Sequence, residues 1–391
     1  AQVDAGAMHA LAEHDALARV AQAVYGLAFY IRKTLVPSGL GPMYELPPRA
    51  VLLGPMSWIS AVAVAAVAVF AVRRRRRVPA LAAALAAYAI MVAPVLGFVQ
   101  SGRQLVADRY SYVSCLGFAV VAAAGVLTYL SRPAQRADRR RRAVVGLVAC
   151  VVVAGLSRAT LWQTEFWDNP VTLWHRGVQV SPDSAIAHVN YADALATTGH
   201  PRAMRLSVKH YRRGLELDPT DDIALAHLAR LLAFTGETTA AIGAYRRALV
   251  LNPDRRGTPL ALARLLVRRH GPQDIRWALL ALRDTLERHP DDIDAMLYLA
   301  ELLATAGDAA LRDGGEAVRW ATHASEARGG NDPSALRTLA TAYAEARRFD
   351  DAVETAEKAL RLARLAGAPP LAADIDRRIT LFRQEKPYHA E

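Results

Sequence analysis

Hydrophobic and polar positions follow two rhythms along this chain, and the change comes near residue 162. Before it, apolar residues run on without a polar face over 51–72, 78–99, 110–130 and 143–161. Each run is about 20 residues, the length a helix needs to cross ~30 Å of hydrocarbon at ~1.5 Å per residue. The spacing predicts four membrane-spanning helices. Tyr110 and Tyr112 stand at one end of the third run and Tyr129 at the other, where interfacial aromatics belong. The fourth run carries Arg158 near its end, which must snorkel outward; a buried soluble helix is the alternative there. An earlier stretch, 16–36, holds only about a dozen uninterrupted apolar positions between Arg19 and Arg32. It reads as either an interfacial helix or the tail of a spanning one. Pro37 stops it, and the loop PSGLGPMYELPP follows.

After residue 162 apolar positions recur every three or four residues in short segments, and the pattern repeats with a period near 34. Residues 222–255 place Leu225, Leu228, Ala229, Leu232, Gly236, Ala241, Tyr245, Ala248 and Pro253 at the spacings of a tetratricopeptide repeat. The small residues let two helices approach, the large ones fill the seam, and Pro253 ends the second helix. Stretched copies cover 185–221, 256–292, 293–332 (with an insertion, ALRDGG) and 333–366. The expected fold is all-α: a multi-spanning helical membrane domain followed by a tetratricopeptide solenoid. Residues 1–50 would be a loop and interfacial helix ending a truncated membrane domain, 51–161 the four spans, and 162–184 a connecting half repeat. The solenoid would occupy 185–366, and a capping helix with a tail 367–391.

Charge changes this picture by orienting it. The net charge is +11, but residues 1–161 hold 18 Lys/Arg against 6 Asp/Glu and residues 162–391 hold 30 against 31. The excess lies in two arginine clusters, 73–77 and 132–142, each between apolar runs. That placement marks cytoplasmic loops and is a poor nucleic-acid footprint, which needs a basic face on a folded domain. Alternation then puts the 37–50 loop, the 100–109 loop and everything after 161 on the extracytoplasmic side. The two cysteines, Cys115 and Cys150, sit inside apolar runs and define no disulfide framework. The opening AQVDAGAMHA has neither an initiator Met nor a signal-peptide pattern, so either something was removed or the chain is a fragment.

Candidate chemistry is sparse. The 11 histidines form no His-x-x-x-His pair, no Cys-x-x-Cys occurs, and no metal or cofactor is expected in this chain. Phosphate-binding Gly-rich loops and Gly-x-Ser-x-Gly turns are also lacking. The polar gap GFVQSGRQLVADRYSYVSCLG (97–117) holds Asp108 beside Arg109. These are either a salt-bridged pair orienting the third span or part of a lipid-phosphate surface. In the second reading Arg103 and Arg109 bind phosphate, for which guanidinium is suited, and Gln100 and Tyr110 lend polar contacts. Gly39, Tyr44 and Glu45 lie on the same side without a spacing that demands chemistry. In the repeats, position 9 of each first helix normally faces the concave groove, and it reads Asp193, Arg230, Arg264, Glu301 and Thr341. Position 6 reads Asn190, His227, Ala261, Tyr298 and Thr338, which is no asparagine ladder. The groove is either a surface for protein or peptide partners or a spacer packed on the membrane domain.

Taken in order, AQVDAGAMHAL, YGLAFYIRKTLVPSGLGPMYELP, the 97–117 gap and WDNPVTLWHRGVQVSPDSAIAHVNYADAL resemble the transmembrane and tetratricopeptide-repeat O-mannosyltransferases and their bacterial relatives. The Ala-Asp-Arg-Tyr-x-Tyr stretch at 107–112 and, loosely, the segment from Tyr30 to Leu40 are the most specific pieces. The resemblance implies a GT-C-like membrane glycosyltransferase that moves a sugar from a polyprenyl-phosphate donor to a protein hydroxyl, with an acid as general base. Two departures matter. Ser114 stands where relatives usually carry Pro, and the acidic first extracytoplasmic loop of such enzymes has no counterpart here. This chain would supply a wall of the site and acceptor-handling repeats, and no acid here is assigned as base. The alternative is a non-enzymatic, membrane-anchored scaffold for envelope proteins. High Ala and Arg point to a GC-rich bacterium, hence an inner-membrane protein with periplasmic repeats; in a eukaryote the compartment would be the endoplasmic reticulum lumen.

Overall fold

The computed structural model describes residues 16–45, 53–96, 104–106, 111–131, 136–271 and 273–389. The chain divides into two compact units, 1–219 and 220–391, with the division after the first repeat. In the first unit the helices are α1 (Ala16–Leu35), α2 (Pro55–Arg74), α3 (Pro79–Val92), α4 (Leu116–Ser131), α5 (Arg136–Thr164), α6 (Pro170–Val180), α7 (Ala185–Thr197) and α8 (Pro201–Leu217).

Among the described residues, three helical stretches are long and apolar enough to cross a membrane. They are Pro55–Arg74, Tyr112–Ser131 and Arg139–Trp167, with mean hydropathies of 2.0, 2.1 and 2.1. They carry the first, third and fourth expected spans. Along the fourth, Leu147, Val151 and Val153 point outward, so this run is no buried soluble helix. The second expected span is shorter than the apolar run suggests. Helix α3 stops at Val92 and passes into a 3-10 turn at Ala93–Val95, because Pro94 has no N–H to offer the Ile90 carbonyl.

Helix α1 is more than a surface element. Its Ala18, Ala23, Phe29 and Tyr30 are buried with Tyr88, Val92, Leu96 and Val106, and the Tyr88 hydroxyl donates to the Leu27 carbonyl at 2.9 Å. A methyl on Gly26 would come within 2.9 Å of Leu96 Cδ2, so any larger residue would make the Leu96 side chain shift. Arg19, Arg32 and Lys33 sit near its ends and leave the middle apolar. Two short strands, β1 (Tyr44–Glu45) and β2 (Gln104–Val106), pair antiparallel with Tyr44 opposite Val106. The loop after α1 and the segment leading to α4 therefore meet at one end of the bundle.

The second unit is an array of helix pairs. Its helices are α9 (Asp222–Phe234), α10 (Thr238–Leu251), α11 (Thr258–Arg269), α12 (Asp274–Arg288), α13 (Ile293–Thr305), α14 (Gly314–Ala327), α15 (Pro333–Glu345), α16 (Phe349–Leu365) and α17 (Pro369–Phe382). Several begin on an aspartate whose carboxylate accepts from a free backbone N–H of the first turn: Asp221, Asp292, Asp313 and Asp332. Alanines at one repeating position of the second helices are wholly buried (Ala241, Ala278, Ala317 and Ala352). They let paired helices pack closely, as the sequence pattern requires. The insertion near 310 forms a 3-10 turn, Ala309–Leu311, and leaves α13 and α14 paired.

Candidate functional site

Arg103, Asp108, Arg109, Tyr110 and Gln100, the expected lipid-phosphate wall, lie outside the described residues. The structure does describe what surrounds that end of the bundle. Lys33 Nζ donates to the carbonyls of Ser38 and Gly39 at 2.6 and 2.8 Å, and it lies 5.4 Å from the ring centres of both Phe29 and Tyr44. The cation thus holds the loop after α1 against the last turn of that helix, where the helix dipole favours a positive charge. Tyr44 Oη accepts from the Gly41 N–H at 3.0 Å and donates to the Gly39 carbonyl at 3.1 Å. These bonds fold 38–45 into a compact hook.

Glu45 has a task that its spacing did not reveal. Its Oε2 accepts from Ser184 Oγ at 2.6 Å and from the Ile186 N–H at 3.4 Å, a carboxylate set at the N-terminus of α7. Pro42 and Gly41 pack beside it: a methyl on Gly177 would lie 3.3 Å from Pro42, and one on Gly41 3.2 Å from Val180. The hook of the membrane half is therefore fastened to the first repeat helix pair. Sequence reasoning also missed a groove of about 290 Å³ between α1 and α2, lined by Ala28, Ile31, Leu35, Ala63, Val64 and Val67 with Arg32 beside them. The available signal was Arg32 closing an apolar run.

The five groove positions have different fates. Asp193 accepts a hydrogen bond from Tyr211 Oη. Its neighbour Asn190 turns back to its own helix, donating to the Ile186 carbonyl at 2.8 Å. In the second unit, Glu301 and Thr341 are absorbed into a polar network centred on Arg378 of α17, a side chain only 5% exposed. Arg378 donates to Thr341 Oγ1 at 2.8 Å and Glu301 Oε1 at 3.0 Å. Thr338 donates to Glu301 Oε2 at 3.2 Å, and Arg337 donates to Asp374 at 3.2 Å. Burial works against the charged form of Asp374, but Arg378 and Arg337 outweigh it and hold its carboxyl below the usual range. The Tyr388 ring lies 4.1 Å from the Arg378 guanidinium, closing the end of the network.

Arg230 and Arg264 remain exposed. Arg264 lies 5.5 Å from the centre of the Tyr298 ring. Burial pushes the Tyr298 hydroxyl up, although Arg264 and Arg268 oppose the shift. So of the two position-6 and position-9 series, only part is open to a ligand.

A histidine pair lies in the first unit. His188 Nε2 faces the Pro182 carbonyl at 3.0 Å and its Nδ1 faces His210 Nδ1 at 2.8 Å. The carbonyl can only accept, so His188 carries its proton on Nε2 and His210 donates through Nδ1. Burial, with His188, Lys209 and His175 nearby, lowers the His210 pKa to about 4. Among the described residues no group of three or more His, Cys, Asp or Glu could hold a metal ion.

The chain is similar to protein O-mannosyl-transferases. The human protein O-mannosyl-transferase TMTC1 (Homo sapiens) is 31% identical over 137 residues, which is 34% of this chain and 14% of that protein. Its mouse counterpart (Mus musculus) is 30% identical over 129 residues, 32% of this chain and 13% of the relative. The chain thus matches a small part of the length of these relatives. Residues 211–311 match the TPR domain of cytochrome c-type biogenesis protein H. Among solved structures, the TPR protein YrrB, described as having an unusual peptide-binding site, aligns with a TM-score of 0.43 at 19% identity. That alignment covers 52% of this chain and 97% of YrrB. MamA aligns with a TM-score of 0.40 at 17% identity, covering 47% and 93%.

Proposed function

We propose that this chain is part of a membrane glycosyltransferase that moves a sugar from a polyprenyl-phosphate carrier to protein hydroxyls. The repeats hold the acceptor on the extracytoplasmic side. The observation that supports this reading most is the Glu45 hook. It ties the membrane loop that follows α1 to the first helix of the first repeat, so that repeat starts at the end of the bundle. Similarity to protein O-mannosyl-transferases supplies the reaction class. In this reading Arg103 and Arg109 bind the carrier phosphate bidentately, Gln100 and Tyr110 add polar contacts, and Asp108 orients Arg109. In this reading the arginine clusters at 73–77 and 132–142 face the cytoplasm and the repeats lie in a bacterial periplasm, as the bias of basic residues toward cytoplasmic loops supports. The bilayer covers the outward apolar faces of α2, α4 and α5.

A second reading rests on Glu45 as well. Its carboxylate is spent on Ser184 and the α7 N-terminus. A scaffold that gathers envelope proteins needs no general base. The test is transfer of a radiolabelled sugar from a polyprenyl-phosphate donor to acceptor protein by membranes carrying the full-length protein. The proposal expects transfer that falls at least tenfold in Arg103→Ala/Arg109→Ala with folding intact. No transfer from any such donor would leave the scaffold.

A further inference from the structure

In the second unit the first helix of every pair presents the same face, so its charges can be compared position by position. At the C-terminal end that face is self-sufficient: Glu301, Arg337, Asp374 and Arg378 neutralise one another. Arginines elsewhere in the unit also meet acids, as Arg255 meets Asp222, Arg283 meets Glu316 and Arg312 meets Glu345. On the first helices of the pairs, Arg269 of α11 likewise meets Asp274, but three arginines of α9 and α11 do not. Arg230, Arg264 and Arg268 are exposed, and among the described residues no carboxylate lies within ion-pair distance of any of them. Arg230 and Arg264 occupy equivalent positions one repeat apart, and Arg268 follows Arg264 by one helical turn on the same face. Tyr298, from α13, packs its ring against Arg264 and senses Arg268 as well. Guanidinium groups that share one exposed face without an ion-pair partner give that face a positive potential, which favours an anionic ligand.

We infer that Arg230, Arg264 and Arg268, with Tyr298, form a seat for the carboxylates of an extended acidic segment of a partner protein. Guanidinium groups take carboxylates bidentately, and an aromatic ring behind one of them holds its plane. Packed helices lie ~8–10 Å apart and an extended chain advances ~3.3 Å per residue. Arginines one repeat apart therefore match acids about three residues apart in the ligand. The inference rests on the protein-partner half of the proposed function and is independent of sugar transfer.

The test uses the full chain in zwitterionic detergent. Its probes are a labelled 12-residue peptide with Glu at every third position, read by fluorescence anisotropy, and its Gln counterpart. The acidic peptide should bind at least tenfold more tightly than the Gln peptide. Arg230→Gln/Arg264→Gln should lose at least tenfold of that affinity, and Arg230→Lys/Arg264→Lys should recover part of it. Arg319→Gln, an exposed arginine of α14, should change nothing. Equal binding of both peptides would overturn the inference. So would an equal loss in Arg319→Gln, which would mean diffuse charge, or tighter binding of anionic phospholipid vesicles that displace the peptide. A chain that binds the acidic peptide but transfers no sugar would keep this inference and remove the enzyme reading.

Discussion

Glu45 shows how much one side chain can decide. Its carboxylate takes a hydroxyl and a backbone N–H at the start of α7, where the helix dipole adds to both bonds. Charge-assisted bonds of this kind contribute about 1.5–3 kcal/mol each when buried and less when partly open. Glu45→Ala should therefore loosen the hook before it unfolds anything. Hydrogen exchange at the Ile186 amide should quicken by an order of magnitude, with α3 and α4 unaffected. The His188–His210 pair makes a separate prediction. The folded His210 pKa lies near 4, below the ordinary histidine value of 6.5, so the unfolded chain takes up a proton first. Its contribution to stability is complete above about pH 6.5 and is lost as pH falls toward 4. The melting temperature should drop between pH 7 and pH 5, and His210→Asn should flatten that slope. An unchanged slope would assign the pH dependence to other groups.

At the scale of elements, the turn between paired helices carries its own strain. Gly236 has φ of +88°, the left-handed region that glycine enters freely. At the equivalent place in the next repeat stands His270 at +53°, and in the repeat 333–366 Arg347 at +62°. A residue with a side chain is disfavoured there by roughly 1 kcal/mol. Arg347→Gly should thus raise the urea midpoint slightly, while Gly236→Ala should lower it by about the same amount. The cap helix α17 carries a larger stake. Replacing Arg378 by Ala takes one guanidinium from Glu301 and Asp374 but leaves Arg337 beside both. About 1–2 kcal/mol is therefore expected, less than for a buried pair broken outright, read as a shift in the urea unfolding of the chain.

These elements also show what the sequence pattern could carry. The repeats were legible because buried alanines and turn glycines recur at fixed spacing, and tight helix pairing leaves few other solutions. Runs one, three and four were legible because a helix without a polar face has few places to go. The shortness of α3 was written in Pro94 but hidden by the apolar residues around it. Arg378 continues the groove position into the cap helix, 37 residues after Thr341, and its network joins residues as far apart as Glu301. The partners of Glu45 were out of reach altogether, since 139 residues separate it from Ser184.

For the whole molecule, the question is which side of the membrane each part occupies. Strand pairing brings 44–45 to 104–106, and Glu45 carries that end of the bundle to α7. The arginine clusters lie at the opposite ends of their helices. If those clusters are cytoplasmic, then the hook, the phosphate-binding candidates and the repeats all work on one extracytoplasmic face, which is the central claim. It is tested most directly by alkaline phosphatase, active only outside the cytoplasm, fused at two places in the full-length protein. A fusion after residue 389 should be active, and one inserted between Arg75 and Arg76 should be silent. Activity at the arginine turn with silence at the C-terminus would put the repeats in the cytoplasm and contradict the account.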